Sequence, residues 1–401
     1  MTAVSQGRTS GGTFRSLRHR NVRIYFAGLL FSNIGTWLQF TATSVLLYDI
    51  NKKATDVGLN TLFQFLPMLL LGAWAGGFAD RRDKRTIAIF TQAGLGLQAV
   101  LLASADFAGW ATLPVIYSAS LMMGIINAVD NPARRGLVTE LVETGEISNA
   151  MSLNTTVMTG SRIFGPALAG LMIGPLGTAW LFALNAVSFL AVLASLFVIR
   201  RDQMFPAVQA PRSGQPVREA LRFVNGNAML KRTFIVFTVV STFAFNYGVV
   251  LPKLSDTRWG AAGAFPWLLT VISIGSILGS LATARLPQAT PRWFMLATAV
   301  CAVSAIALAW SPNLFVAFLV CLPLGAGGTA CVASMNGLSQ IHTPPEMRGR
   351  MLALVAVAFL GSTPIGGPFT GWVADTVGVE WALGYGGIVA LCCVPFLRKV
   401  A

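Results

Sequence analysis

Arg162 lies inside an apolar run, Ile147–Ile173, and is the one basic residue of the chain at such a depth. On a helix it sits about 20 Å from the start of that run, near the middle of a membrane. A guanidinium there costs at least about 2.5–3.5 kcal/mol to insert unless partners compensate it. Two readings stay open. Either Asn, Gln and backbone carbonyls pair with Arg162 structurally, or it faces a cavity and attracts an anionic or phenolate-bearing substrate. The carboxylates lie elsewhere: Asp80 and Asp130 toward one membrane face, Asp49, Asp106 and Asp375 toward the other. Lack of a deep acid argues against a pump for lipophilic cations. Asp80, Asp130 and Asp49 are candidate proton-linked acids, none singled out.

Other reactive residue types carry less. His19 and His342 are the two histidines, and both fall at span ends, where they meet water or headgroups. Cys301, Cys321, Cys331, Cys392 and Cys393 show neither a paired pattern nor metal-ligand spacing, so packing or lipid-facing thiols are expected. No Gly-x-x-x-x-Gly-Lys-Ser/Thr loop offers a phosphate cradle, which leaves an ion gradient as the energy source for any uphill transport. No metal or cofactor is expected. A membrane-embedded lipid-modifying enzyme would need clustered acids or a nucleophile–base pair at one face, and none is evident.

The elements that must position these residues follow from composition. Of 401 residues, 54% are apolar and 11% charged, against about 25% charged in a soluble domain. So few charges cannot cover a water-soluble surface of this size. Twelve runs approach the roughly 20 apolar residues a helical span needs, from Val22–Tyr48 to Trp381–Leu397. The expected fold is an all-α integral membrane protein of twelve transmembrane helices. A basic start before an apolar run imitates a secretory signal, but the run is too long, so it reads as an uncleaved first helix.

Charge sets the orientation. With both termini in the cytoplasm, 24 of the 29 Lys and Arg fall in inner segments, as the positive-inside rule requires. The net charge of +14 is then a topology signal and not a nucleic-acid footprint. The polar stretch around Pro206, Pro211 and Pro216 divides the chain. The expected parts are a basic tail (1–21), a six-helix bundle (22–199), a cytoplasmic loop region (200–232) and a second bundle (233–401). The texts Asn131–Gly170 and Asn336–Gly371 echo each other after the fourth and tenth spans. A duplicated unit of this kind is a transporter architecture with its site at the interface, near mid-bilayer.

Two motifs sharpen that. Gly76-Gly77-Phe78-Ala79-Asp80-Arg81-Arg82-Asp83-Lys84-Arg85 joins the second and third spans. Small residues let helices approach, and an acid at a helix end can dock on a neighbour's N-terminus or a basic side chain. The stretch resembles the signature loop of the major facilitator superfamily, with Phe78 and Asp83 departing from it. The resemblance implies two pseudo-symmetric six-helix bundles and a conformational latch at Gly76, Asp80, Arg81, Lys84 and Arg85. Gly160, Arg162, Gly165, Pro166 and Gly170 look like the antiporter motif in the fifth helix of superfamily exporters, where a bend and a smooth face are implied. Gly275 and Gly279 of the eighth span are expected opposite it. Gly72 and Gly76 are expected opposite Gly361, Gly366, Gly367 and Gly371, as the second moving seam. Phe14–Asn21, Gly35-Thr36-Trp37 and Asp130–Arg134 add a resemblance to the exporter group of enterobactin and macrolide efflux proteins, of the drug–proton antiporter type.

Candidate cavity residues are polar and aromatic side chains within the spans. Asn33, Thr36, Trp37 and Phe40 share one face of the first helix by their three-and-four spacing. Gln64, Asn127, Asn154, Arg162, Asn246 and Tyr247 extend the set. The expected function is proton-coupled export of an amphipathic small molecule, drug-like or siderophore-like, by alternating access. The expected place is the cytoplasmic membrane, as a monomer in lipid with no nucleic-acid partner. Uptake of a small metabolite by proton symport is the alternative within transport, which the antiporter-like motif disfavours.

Overall fold

The computed structural model describes residues 12, 14–205 and 216–398. Among them are fifteen α-helices and no strand. The first six are α1 (Arg20–Asn51), α2 (Ala54–Asp80), α3 (Lys84–Phe107), α4 (Leu113–Glu140), α5 (Ile147–Leu176) and α6 (Thr178–Val198). Then come α7 (Pro216–Gly226), α8 (Ala228–Phe243), α9 (Tyr247–Trp259), α10 (Phe265–Ala284) and α11 (Pro291–Ala309). The last are α12 (Leu314–Ile341), α13 (Arg348–Leu360), α14 (Thr363–Thr376) and α15 (Val379–Arg398). Helices α1–α6 pack on one another, as do α8–α15, giving two bundles whose apolar cores meet at Ala54 and Val249.

Eleven segments are long and apolar enough to cross a membrane by length and composition. The expected first span is not among them, although α1 runs 32 residues. Its polar side chains lower its hydropathy, and they are used inside the bundle. Gln39 donates to Gln98 of α3 (3.2 Å) and accepts from Asn185 of α6 (2.7 Å). Such amide contacts hold helices together where water is absent. Outward-facing Phe90, Leu171, Leu190, Phe315 and Phe396 are exposed, as a lipid-facing surface requires.

Two expected spans are each broken in two. The seventh consists of α8 and α9, interrupted at Ala244–Asn246, where Asn246 Nδ2 donates to the Thr242 carbonyl at 2.5 Å. The eleventh consists of α13 and α14, interrupted at Gly361 and Ser362. Pro364 has no N–H to give the Leu360 carbonyl, and the Ser362 hydroxyl turns back to the Phe359 carbonyl (2.8 Å). The sequence reading took both spans as continuous, since apolar composition does not register a break.

The stretch 200–232, expected as a loop region, is partly helical. Residues 206–215 lie outside the described residues. Beyond them α7 buries Ala220 and Val224 in the core of the second bundle. Asn227 caps α8 by accepting from the N–H groups of Met229 and Leu230, both at 3.1 Å, so this helix starts at Ala228 and not at Thr233. Of the basic tail, residues 1–11 and 13 lie outside the described residues. Arg15–Arg18 form a short turn against the first bundle. His19, expected in water or at headgroups, instead meets the buried Glu146 at 2.7 Å beside Arg15 (3.0 Å) and Arg18 (2.8 Å).

Candidate functional site: a cleft closed at one end

At the end opposite the basic loops, the last turn of α14 meets the first turn of α2. Asp375 accepts from the backbone N–H of Ala54 (3.0 Å) and Thr55 (2.8 Å) and from the Thr55 hydroxyl (2.6 Å). The N-cap residue of α2, Lys53, supplies no side-chain cap. A carboxylate from the other bundle does this work. Lys253 of α9 donates to the same carboxylate at 2.7 Å, and Tyr48 of α1 donates to Asp256 of α9 at 2.8 Å. Between these bonds the backbones touch. A Cβ on Gly371 would lie 2.6 Å from the Ala54 carbonyl oxygen, and one on Gly367 3.2 Å from that of Gly58. Among the described residues, the hydrogen bonds joining the two bundles are found at this end.

The basic end is arranged otherwise. Gly72 and Gly76 of α2 have nothing near the place a Cβ would occupy. The expected seam of Gly72 and Gly76 against α14 is thus corrected to Ala54 and Gly58 against Gly367 and Gly371, while Gly361 lies near Leu69. Polar contacts here stay within one bundle. Lys84 pairs with Glu140, and Arg85 donates to the carbonyls of Leu196 (2.7 Å) and Phe197 (3.2 Å), closing the end of α6. Asp83, the departure from the signature loop, caps α3 through the Arg85 N–H (3.3 Å) and pairs with Arg201 (3.2 Å). Arg81 is exposed. Asp80 ends α2, and its side chain lies outside the described residues.

The other two candidate proton-linked acids are far apart. Asp130 is fully buried between α3 and α4, held by Arg134 (2.6 Å), Thr91 (2.6 Å) and Gln92 (2.9 Å). Asp49 is exposed at the closed end and pairs with Lys52. In the fifth helix, Pro166 sits inside a continuous α5. Gly160 faces open space, but Gly165 and Gly170 are seams. A Cβ on Gly165 would lie 2.9 Å from the Leu38 nitrogen of α1, and one on Gly170 2.8 Å from the Trp267 ring of α10. Gly275 and Gly279 do not oppose α5 as expected. They pack on the backbone of α12, inside their own bundle, at Leu322 and Ala326.

Close approach at Gly165 presses α5 onto α1 and brings Arg162, one turn earlier, over the face of Trp37. The guanidinium carbon lies 4.7 Å from the indole centroid, a cation–π contact. Trp37 in turn meets Phe40 edge-on at 5.3 Å. Arg162 is nonetheless exposed, on a helix that packs on α10 of the other bundle at Gly170 and Trp267. It therefore faces the cleft between the bundles. Among the described residues no carboxylate pairs with it. Of the two open readings, pairing with Asn, Gln or carbonyls is not what the structure contains.

Of the remaining candidates, Thr36 lies beside Trp37, half-buried, and Asn33 is buried with its amide nitrogen unpartnered. Asn246 is spent on the break between α8 and α9. Gln64 reaches Met123 Sδ (3.9 Å) and Asn154 reaches Met158 Sδ (3.7 Å), while Asn127 is half-buried on α4. Sequence reasoning missed a feature of α5. Ser148, Ser152 and Thr155 are exposed and Thr159 half-exposed, at spacings of four, three and four residues, and three further residues lead to Arg162. That spacing is legible, and it marks one hydroxyl-lined face from the basic end to mid-depth. Recesses of 430 Å³ (around Trp293) and 390 Å³ (around His19) lie at the basic end and include none of the cavity candidates.

Residues 11–400 match the family described as transmembrane secretion effectors. The staphyloferrin A transporter of Staphylococcus aureus is 21% identical over 92% of this chain and 94% of its own. The multidrug efflux pump Tap of Mycolicibacterium fortuitum is 25% identical over 89% and 90%. The enterobactin exporter EntS of Salmonella typhi is 23% identical over 88% and 85%. A bacterial homologue of the human lysosomal transporter Spinster, solved inward-facing and unoccupied, shares the fold with TM-score 0.69 at 16% identity, covering 95% of this chain and 96% of that one. The nucleoside transporter NupG does so with TM-score 0.76 at 13% identity, covering 94% and 98%. The broken spans, the cleft between paired bundles and these matches agree: the chain is a transporter of the major facilitator superfamily and belongs to its transmembrane secretion effector family.

Proposed function

We propose that this transporter exports an amphipathic small molecule from the cytoplasm in exchange for protons, by alternating access. One observation carries the reading. The bundles are joined at one end through two carboxylates, Asp375 and Asp256, while the other end of the same interface is open. That is one of the two states an alternating-access cycle needs. The positive-inside rule puts the open, basic end in the cytoplasm, with both termini there. Substrate then enters from inside along the hydroxyl face of α5. Protons arriving from outside drive the step in which the bonds of Asp375 and Asp256 break, the N-terminus of α2 is released and the outer end opens. Asp80 and its basic neighbours take over as the latch when the inner end closes. Relatives named as a multidrug efflux pump and an enterobactin exporter favour this direction over uptake. The chain acts as a monomer, since both bundles and the cleft come from one copy.

The test is accumulation of a compound panel in cells with and without the protein, repeated with a protonophore. Catecholate siderophores, macrolides, fluoroquinolones and lipophilic cations make up the panel. Lower accumulation that the protonophore abolishes is the expected result. Higher accumulation in expressing cells would instead establish uptake.

A further inference from the structure

We infer that the cleft recognises organic anions that carry an aromatic ring, with Arg162 taking the charge and Trp37 the ring. This rests on the export reading above and narrows its substrate class. A guanidinium lying over an indole has its face occupied, but its N–H donors point outward in the plane. Among the described residues no acceptor receives them, although the side chain is ordered on Trp37 at 4.7 Å. A planar fork of unused donors suits a carboxylate or phenolate oxygen. The buried acids of the first bundle's helices have partners of their own. Asp130 is spent on Arg134 and Asp56 on Asn51 and Tyr117. The cleft at this depth thus holds an uncompensated positive charge beside aromatic rings.

Three further observations point the same way. Asn33 stands one helical turn before Trp37 on α1, 8% exposed, with an amide nitrogen that has no partner. It is a second donor awaiting an acceptor. The helix that carries Arg162, α5, packs on α10 of the other bundle at Gly170 and Trp267, so a ligand held at Arg162 lies beside both moving halves. The hydroxyl face from Ser148 to Thr159 leads from the basic end toward Arg162 and presents polar groups to a charged solute on its way in. A lipophilic cation would meet repulsion from Arg162 and no acid to offset it.

The decisive comparison uses ligands matched in shape. Binding of 1-naphthoate, neutral 1-naphthamide and tetraphenylphosphonium to the purified full chain in nanodiscs reads the charge preference directly. Naphthoate should bind about ten- to a hundredfold tighter than naphthamide, the scale of one charge-assisted hydrogen bond. Arg162→Gln should erase that ratio, Arg162→Lys should keep part of it, and Arg162→Glu should turn the preference toward the cation. Each variant is checked for an unchanged elution profile and melting temperature, and Arg162→Lys serves if the others fail to fold. An unchanged ratio in folded Arg162→Gln, or a wild-type preference for the cation, overturns the inference. Protonophore-sensitive export that ignores Arg162→Gln overturns it too, and leaves the export reading standing. Anion binding that needs Arg162, without protonophore-sensitive export, sustains the site and sinks the export reading.

Discussion

The two ends of α2 carry the same kind of text and meet the other bundle differently. Ala54 and Gly58 touch the backbone of α14 at Gly371 and Gly367, whereas Gly72 and Gly76, equally small and spaced by four, face open space. Small residues therefore mark where the bundles can close, and a carboxylate across the seam marks where they have closed. Asp375 supplies it at the closed end, by capping a helix that its own bundle leaves uncapped. Glycine spacing alone sets a permissive surface, and the polar latch decides its state.

Substitutions can break this comparison in graded steps. The largest effect is expected from Gly371→Leu, whose side chain would collide with the Ala54 carbonyl. Overpacking of this kind costs about 1–3 kcal/mol or more, enough to hold the outer end apart. Spin labels on the first turn of α2 and the last of α14 should move apart, and transport should fall more than about tenfold. An unmoved distance would show that the seam is not a contact in the membrane. Asp375→Ala removes three hydrogen bonds to α2 and strands Lys253. A shift of about 1.5–3 kcal/mol, roughly ten- to a hundredfold in the balance of states, should appear in the same distance distribution. Tyr48→Phe deletes one bond to a carboxylate, and a shift of about 1.5 kcal/mol, roughly tenfold and the low end for a charged acceptor, is expected. Gly76→Ala should leave the distance distribution of this open state within about 0.5 kcal/mol of wild type, since nothing lies near its Cβ. If transport nonetheless fails in Gly76→Ala, the open stretch of α2 closes during the cycle. Glu219→Gln, at the half-exposed pair with Arg350, should be smallest, about 0–1 kcal/mol by thermal melting.

How much of this was legible in the sequence depends on what each signal measures. Hydropathy and basic loops gave the membrane fold, because burial in lipid constrains every residue of a span. Mean hydropathy alone passes over α1, which the length of the run Val22–Tyr48 marks as a span, because its amides are satisfied by Gln98 and Asn185 and not by water. Composition could not register the breaks after Phe243 and Leu360, which depend on single side chains bonding single carbonyls. Arg162 stood out by its depth, and its neighbour Trp37 by helical spacing, yet their contact needed the closeness of two helices at Gly165. Asp375 was visible as an outer acid. Its partners, Thr55 and Lys253, are 320 and 122 residues away, and no local pattern announces such a pairing. Gly275 and Gly279 show the converse: a spacing read as a seam between bundles serves packing within one.

The interruption at Gly361 and Ser362 also has a mechanical meaning. An unbroken helix is a stiff rod, and a push at one tip displaces the other. With its backbone ladder cut near the middle, the eleventh span is two short levers sharing a pivot. The outer lever is clamped to α2 by Asp375 and the glycine contacts. The inner lever, α13, bears on α7 through the Arg350–Glu219 pair and on α12. A pivot there would take up strain from the inner lever before it reached the clamp, so in the alternating-access cycle proposed above the two mouths of the cleft need not change together.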